Sequence, residues 1–259
     1  MDDLGPFTVT TLDRRPDLEP AIDRLVTGNL PEFMSWESPG NWRWHRLYDT
    51  CAAHQFCVLD EEGRLVAVAN GLPVHWDGTV DGLPEGSDDV LVSAFSGTGH
   101  GSPNTLCMLS VSVAPHLRGT GTAERLLTLA RSAATGADWL GLLIPVRPTR
   151  KARYPLVPMA AYATWQRADG TPFDPWLATH AALGAELLAP CDRSLVIRQP
   201  IARWEAFTGH PLPGPGPHLV PGALAPLEVP GDGEGVYAEP NFWVFHPARP
   251  DEPLSRTRT

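Results

Sequence analysis

The stretch Val111–Ala130, VSVAPHLRGTGTAERLLTLA, decides how this chain is read. Alternating apolar residues end at Pro115, Arg118 follows, then Gly119-Thr120-Gly121-Thr122-Ala123, and then leucines at helical spacing. The pattern predicts a strand feeding a helix through a loop of very small residues. Two glycines and their small neighbours leave backbone N–H groups unshielded at the helix start. Those amides, together with the positive end of the helix dipole, make an anion site. Thr120 and Thr122 add hydroxyl donors and Arg118 adds a charge, so a phosphate or pyrophosphate is the guest such a loop suits. The same small residues also serve a plain tight turn. No GK[ST] follows, which excludes a Walker loop. The three-glycine βαβ fingerprint of dinucleotide-binding domains is absent too.

Working outward, FTVTTLDR alternates like an opening strand, and PDLEPAIDRLVTGN carries helical spacing at Leu18, Ile22, Leu25 and Val26. A second helix is expected from Asn41 to Ala53. QFCVLDEEGRLVAVANGLPVHW reads as two strands joined at Glu62-Gly63. A short strand is expected at VLVSAF, ahead of the loop SGTGHGSPN. TLCMLSVSVAP is the strongest strand, AERLLTLARSAATGA the helix after it, and DWLGLLIPV a buried strand. Further on come an irregular Pro- and aromatic-containing connection, a short helix in DPWLATHAALGAE closed by Gly184, and a strand in LLAPCDRSLVIRQ. A Pro/Gly-rich loop and a last strand in VYAEPNFWVFHP follow.

The chain has 259 residues, 30 acidic against 20 basic, a net charge of −10 and 42% hydrophobic residues. That length buries a substantial core, and the negative mean field disfavours nucleic acid as a partner. No apolar run is long enough to span a bilayer, and MDDLGPFTVT lacks the basic start of a signal peptide, so a cytoplasmic protein is expected. Cys51, Cys57, Cys107 and Cys191 form no CxxC pair and no zinc spacing, which fits reduced, mostly buried thiols and no metal.

The loop and strand together resemble motif A of the GNAT (Gcn5-related N-acetyltransferase) superfamily. That motif ends a strand in V-x-P and opens a helix with [RQ]-x-x-G-x-[GA]. Val113-Ala114-Pro115 match the strand end, and Arg118, Gly121 and Ala123 match the loop. The resemblance covers roughly Phe7 to Ile197. It implies an α/β (α+β) acyl-CoA N-acyltransferase fold: a mixed, mostly antiparallel central sheet flanked by helices, with an elaborated C-terminal part. Residues 1–203 would form the transferase domain, 204–250 a Pro/Gly-rich extension packed on it, and 251–259 a disordered tail. By the same resemblance, acetyl-CoA or another acyl-CoA is the co-substrate. Its pyrophosphate would lie on Arg118, Gly119, Thr120, Gly121, Thr122 and Ala123. Val111, Ser112 and Val113 would present main-chain atoms to the pantetheine arm and thioester.

The acid that relatives carry as tyrosine in Y-x-x-x-G-F falls here on His180, with Gly184 in place and Ala185 for the aromatic. His180 is thus the expected catalytic acid, suited to proton donation near neutral pH. The carboxylate that many relatives hold on the motif A strand is replaced by Leu109, leaving His75, Glu37 and Glu239 as candidate bases. Trp36, Trp42, Trp44, Tyr48, Tyr154, Tyr162 and Trp165 fall where relatives place their acceptor site, and serve equally as core. Arg147, Arg150, Lys151 and Arg153 form a locally basic cluster, either solvated or facing an anionic group. RPTRKARYP, YATWQRADGTPFDPW and HAALGA also resemble acetyltransferase-like domains fused to bacterial carbon–nitrogen hydrolases. The implied function is acetyl transfer from acetyl-CoA to a small-molecule amine by direct attack in a ternary complex, in a monomer or homodimer. A non-catalytic acyl-CoA-binding module and a nucleotide-type phosphate binder are the alternatives.

Overall fold

The computed structural model describes residues 7–98, 101–231 and 233–249. Its elements are β1 (Thr8–Thr11), α1 (Glu19–Thr27), α2 (His45–Thr50), β2 (Gln55–Leu59), β3 (Leu65–Val74), α3 (Ser87–Ser96), β4 (Thr105–Val113), α4 (Thr122–Gly136) and β5 (Gly141–Val146). They continue with α5 (Met159–Tyr162), α6 (Pro175–Ala182), β6 (Glu186–Pro200), α7 (Ile201–Thr208), β7 (Gly216–His218), β8 (Leu227–Val229) and β9 (Glu234–Pro247). The strands join one sheet in the order β1-β2-β3-β4-β5-β9-β8-β7, with β6 also paired to β9. Every pairing is antiparallel except β4 with β5.

Side-chain alternation sorts the core onto two faces. Leu106 and Met108 of β4, Leu142 and Ile144 of β5, and Phe242 and Val244 of β9 pack with Leu126, Leu127, Ala130 and Ala134 of α4. The intervening Cys107, Leu143, Trp243 and Phe245 pack with Ile22 and Val26 of α1 and Leu47 of α2. A third cluster gathers Phe33, Trp36, Ile197, Trp204 and Tyr237 under α7. Buried in this way, the thiols of Cys57 and Cys191 are pushed up to about 12 and about 11. All four cysteines are free.

Two expectations are corrected. VLVSAF is helical and lies within α3. A six-residue apolar run reads equally as strand or buried helix turn. Here Asp88 and Asp89 favour a helix start, Gly97 closes it at φ 71°, and only Val90 and Leu91 are buried. The Pro/Gly-rich loop contains the short strands β7 and β8, and Trp204–Phe207 just ahead of it belong to α7. Segment 204–250 supplies β9, which pairs with β5, β6 and β8 inside the sheet. The expected tail 251–259 lies outside the described residues.

Candidate acyl-CoA and acceptor site

The parallel pair at the centre of the sheet is short. Only Leu106↔Leu142 and Cys107↔Leu143 are in register, after which β4 and β5 diverge. A bulge contributes to that divergence. On β3, Asn70 pairs with Ser110 and Gly71 with Met108, so Leu109 is an extra residue in β4. Bulges bend and over-twist the strand that carries them. A polar network fixes this one: Ser110 Oγ donates to Asn70 Oδ1 at 2.8 Å, and Asn70 Nδ2 donates to Gln55 Oε1 at 3.0 Å. Gly71 is required opposite, because a Cβ there would sit 2.5 Å from Met108 Sδ.

The opened sheet forms the wall of a cavity of about 960 Å³. Met108–Val113 line it from β4, Ile144–Val146 from β5, and Glu239 and Asn241 from β9. Glu19, Asp23, Val26 and Thr27, spaced on one face of α1, cover it, and Trp44, His45 and Tyr48 close one side.

At one end stands the small-residue loop. Gly119 and Gly121 have φ of 75° and 84° with nothing within 4 Å of either Cβ direction, so both are left-handed turns beside open space. The first intrahelical bond of α4 is Arg125 N–H to Gly121 O at 3.1 Å, which leaves the amides of Thr122, Ala123 and Glu124 as orphan donors. Thr120 Oγ1 lies 2.9 Å from Thr122 Oγ1, and Arg118 Nη2 donates to Asn29 Oδ1. Val111, Ser112, Val113, Arg118, Gly119, Thr122 and Ala123 all line the cavity, with Thr120 and Gly121 between them in the same turn. These residues fit an acyl-CoA: an amide cradle for the pyrophosphate continues into an unpaired strand edge for the pantetheine arm.

His180 is the correction at this site. It is absent from the cavity lining, although its α6 neighbours Trp176 and Thr179 belong to it. The side chain is fully buried, with Nδ1 2.7 Å from Nε2 of His246 and Trp176 packed edge-on against the ring. Burial, then the neighbouring His246, pulls its pKa down to about 3, so near neutral pH it is a neutral imidazole and not the imidazolium a general acid requires. The pair joins α6 to β9. Sequence placed the residue correctly on the helix but not on the helix's cavity face.

Of the candidate bases, Glu37 is exposed and paired to Arg203 at 2.7 Å, and exposed His75 bonds Ser102 O at 3.1 Å. Glu239 lines the cavity and is fully buried. Its Oε1 is 2.6 Å from Arg147 Nε, and Tyr237 Oη donates to Oε2. Burial raises its pKa, opposed by Arg147, Tyr237 and Lys151. Arg147 is also held by Gly222 O at 2.7 Å. From the aromatic set, Trp44 and Tyr48 reach the cavity and are joined by Trp44 Nε1–H to Tyr48 Oη at 2.9 Å. Trp36 packs on Phe33 and Trp204, Tyr154, Tyr162 and Trp165 surround Phe173, and Trp42 is exposed.

An arginine N-acetyltransferase of Aspergillus versicolor, AvaD, is 28% identical over 274 residues, spanning 93% of this chain and 94% of its own. Among solved structures, the GphF GNAT-like decarboxylase in complex with isobutyryl-CoA superposes at a TM-score of 0.54 with 17% identity, over 95% of this chain and 100% of that one. The loading GNATL domain of CurA from Lyngbya majuscula superposes at 0.53 with 17% identity, over 73% and 88%. These superpositions show the GNAT fold. No protein-family model matches the chain. The chain has the acyl-CoA N-acyltransferase fold expected from motif A. AvaD is fungal, and the similarity does not show a bacterial source. Among the described residues, no helix of this chain is long and apolar enough to cross a membrane.

Proposed function

We propose that this GNAT chain is an N-acetyltransferase that moves the acetyl group of acetyl-CoA to a small-molecule amine by direct attack in a ternary complex. The observation that carries the reading is one cavity lined by residues of the Gly119–Ala123 cradle, by the diverging edge of β4 and by the acidic residues Glu19, Asp23 and Asp88. The cradle suits the pyrophosphate. Arg118 stands beside it, and the free main-chain edge at Val111–Val113 suits the pantetheine arm and the thioester carbonyl. Away from the cradle, Glu19, Asp23 and Asp88 face the cavity, a lining that attracts a cationic acceptor. AvaD acts on arginine, which supports an acceptor carrying a guanidinium or a second amine.

Direct transfer fits the nucleophile inventory. Among the described residues no cysteine lines the cavity, and none of its serines, Ser35, Ser87, Ser110 and Ser112, is hydrogen-bonded to a histidine: Ser35 bonds to Glu32 O, Ser87 to Ser194 and Ser110 to Asn70. His180 takes no part in proton transfer.

The test is CoA-thiol release from acetyl-CoA with L-arginine and a panel of primary amines, diamines and acidic amino acids. Cationic acceptors are expected to react and acidic ones to fail. Binding of acetyl-CoA with no release of CoA by any amine would favour the non-catalytic module.

A further inference from the structure

A transferase needs a group to take a proton from the incoming amine, and motif A of this chain offers Leu109 in place of a carboxylate. The fold supplies one from elsewhere. β9 is paired to β8 through Val236 and Tyr237 and to β5 from Phe242 onward. Between those two pairings, residues 238–241 are flanked by β6 alone, and the free side opens on the cavity. Strand register relates this gap to the acyl end of the site. The β4–β5 ladder ends at Cys107↔Leu143 and the β5–β9 ladder at Val146↔Phe242, and Val111, Arg147 and Asn241, which follow on from those ends, all line the one cavity. Glu239 stands two residues further along β9, about 7 Å of strand, on the same face as Asn241.

Resting on the transferase reading above, we propose that Glu239 is the proton acceptor of the reaction, held in place by Arg147 and Tyr237. It is the one fully buried carboxylate in the cavity lining among the described residues. A guanidinium on one oxygen and a phenol on the other fix its orientation, and each oxygen keeps a second lone pair for the substrate. The groups that set its protonation are Arg147 from the end of β5, Tyr237 on β9 and Lys151 from the following loop, all of which favour the charged form. Burial opposes them and dominates. A carboxylate made more basic in this way is better matched to an ammonium than an exposed one.

The balance of the step is as follows. The acceptor enters as an ammonium with three protons. One passes to Glu239 and from there to solvent. The C–N bond forms as the C–S bond breaks, one further proton leaves on the CoA sulfur, and the third stays on the amide. No separate acid residue is required, in keeping with the position of His180 outside the cavity.

Glu239→Gln tests the assignment, assayed with acetyl-CoA and L-arginine or the panel amine of highest kcat/KM. At pH 7 kcat is expected to fall by about 10²–10⁴-fold while the acetyl-CoA Kd stays within about twofold. The kcat/KM profile of the variant should climb about tenfold per pH unit toward the pKa of the amine, because only the free amine then reacts. The wild-type profile should level off earlier. A second variant, Tyr237→Phe, removes one donor and should move that levelling point up by about half a unit to one unit. A readout without acetyl-CoA is the unfolding free energy against pH. A carboxyl raised in the fold stabilises below its unfolded pKa and loses that contribution as pH rises through the folded value. The wild type should therefore lose stability relative to Glu239→Gln over that window. Wild-type-like turnover and profile in Glu239→Gln would overturn the inference alone. So would an unmoved levelling point in Tyr237→Phe, or a stability difference that is flat with pH. A wild-type protein that acetylates no amine overturns the transferase reading and this assignment with it.

Discussion

Asp174 holds the cavity's third wall, and its removal can be costed from the structure. It is buried at 2% exposure and caps α6. Oδ1 accepts from the amides of Trp176 at 2.9 Å, Leu177 at 3.3 Å and Thr149 at 3.2 Å. Oδ2 accepts from the Arg150 amide at 2.7 Å and from Tyr162 Oη at 2.8 Å. One carboxylate thus ties the loop after β5 to α5 and α6. In Asp174→Ala the lost cap costs about 1 kcal/mol. Of the three remaining donors, the buried Tyr162 hydroxyl left without an acceptor costs about 1 kcal/mol or more, and the amides of exposed Thr149 and half-buried Arg150, which water can reach, together cost about as much. The expected loss is about 3 kcal/mol, a large part of a typical domain's 5–15 kcal/mol, and a drop in Tm of about 8 °C. Asp174→Asn keeps the capping oxygen but turns an NH₂ toward Arg150 N–H and Tyr162 Oη. The tyrosine hydroxyl can rotate to accept and the amide cannot, so about 2 kcal/mol is expected. Urea unfolding followed by tryptophan fluorescence gives both values, with an unchanged m confirming that the folded state lost stability. A loss below about 1 kcal/mol in Asp174→Ala, or equal losses in the two variants, would refute this account of what fixes α6.

Gly121→Val should fold but weaken acetyl-CoA more than about tenfold, or about 1.4 kcal/mol, because a β-branched side chain fills the open cradle at φ 84°; equilibrium titration reads it, and unchanged affinity would make the loop a mere turn. His180→Phe should lower stability without a selective fall in kcat, and His180→Tyr should not outperform it; a kcat loss in the stable fraction of His180→Phe, recovered by His180→Tyr, would reinstate the acid role. The depressed values of His180, about 3, and His246, about 4, set the acid limb of stability. Both are neutral in the fold while the unfolded chain protonates near 6.5, so stability is full above that pH and is lost as pH falls toward 4, by about 2 kcal/mol for each histidine at pH 5. Denaturation at pH 7 and pH 5 checks this, and His246→Leu should flatten the difference.

The parts that sequence made legible are those with local causes. Pro115, Arg118, Gly121 and Ala123 encode a strand end, a charge and two backbone requirements within nine residues, and all four lie in the short span between the end of β4 and the first turn of α4. The alternation in β4 and the leucine spacing in α4 are similarly self-announcing. α3 was misread because Val90–Phe95 is too short for period 2 and period 3.6 to be told apart. His180 was misread because a helix position does not reveal which way its side chain faces. The 100° between Thr179 and His180 separates a cavity wall from a core contact. Glu239 was visible only as one acid among several. Its distinction arises from the pairing gap on β9 and from Arg147, 92 positions away, neither of which leaves a local trace.

The position of β9 also governs the order in which this molecule can assemble. Emerging from the ribosome, β1 to β4 can zip together as successive antiparallel neighbours, and α4 can dock on them. β5 and β6 have no such option. Their common partner spans Glu234–Pro247 and is translated some ninety residues after β5 ends. Loop closure over that span is slow, and for as long as it lasts the apolar residues Leu142, Ile144 and Val146 stand with one edge unfilled. Until β9 is made the sheet therefore carries an open edge at β5, and the wall closes only with the last strand among the described residues.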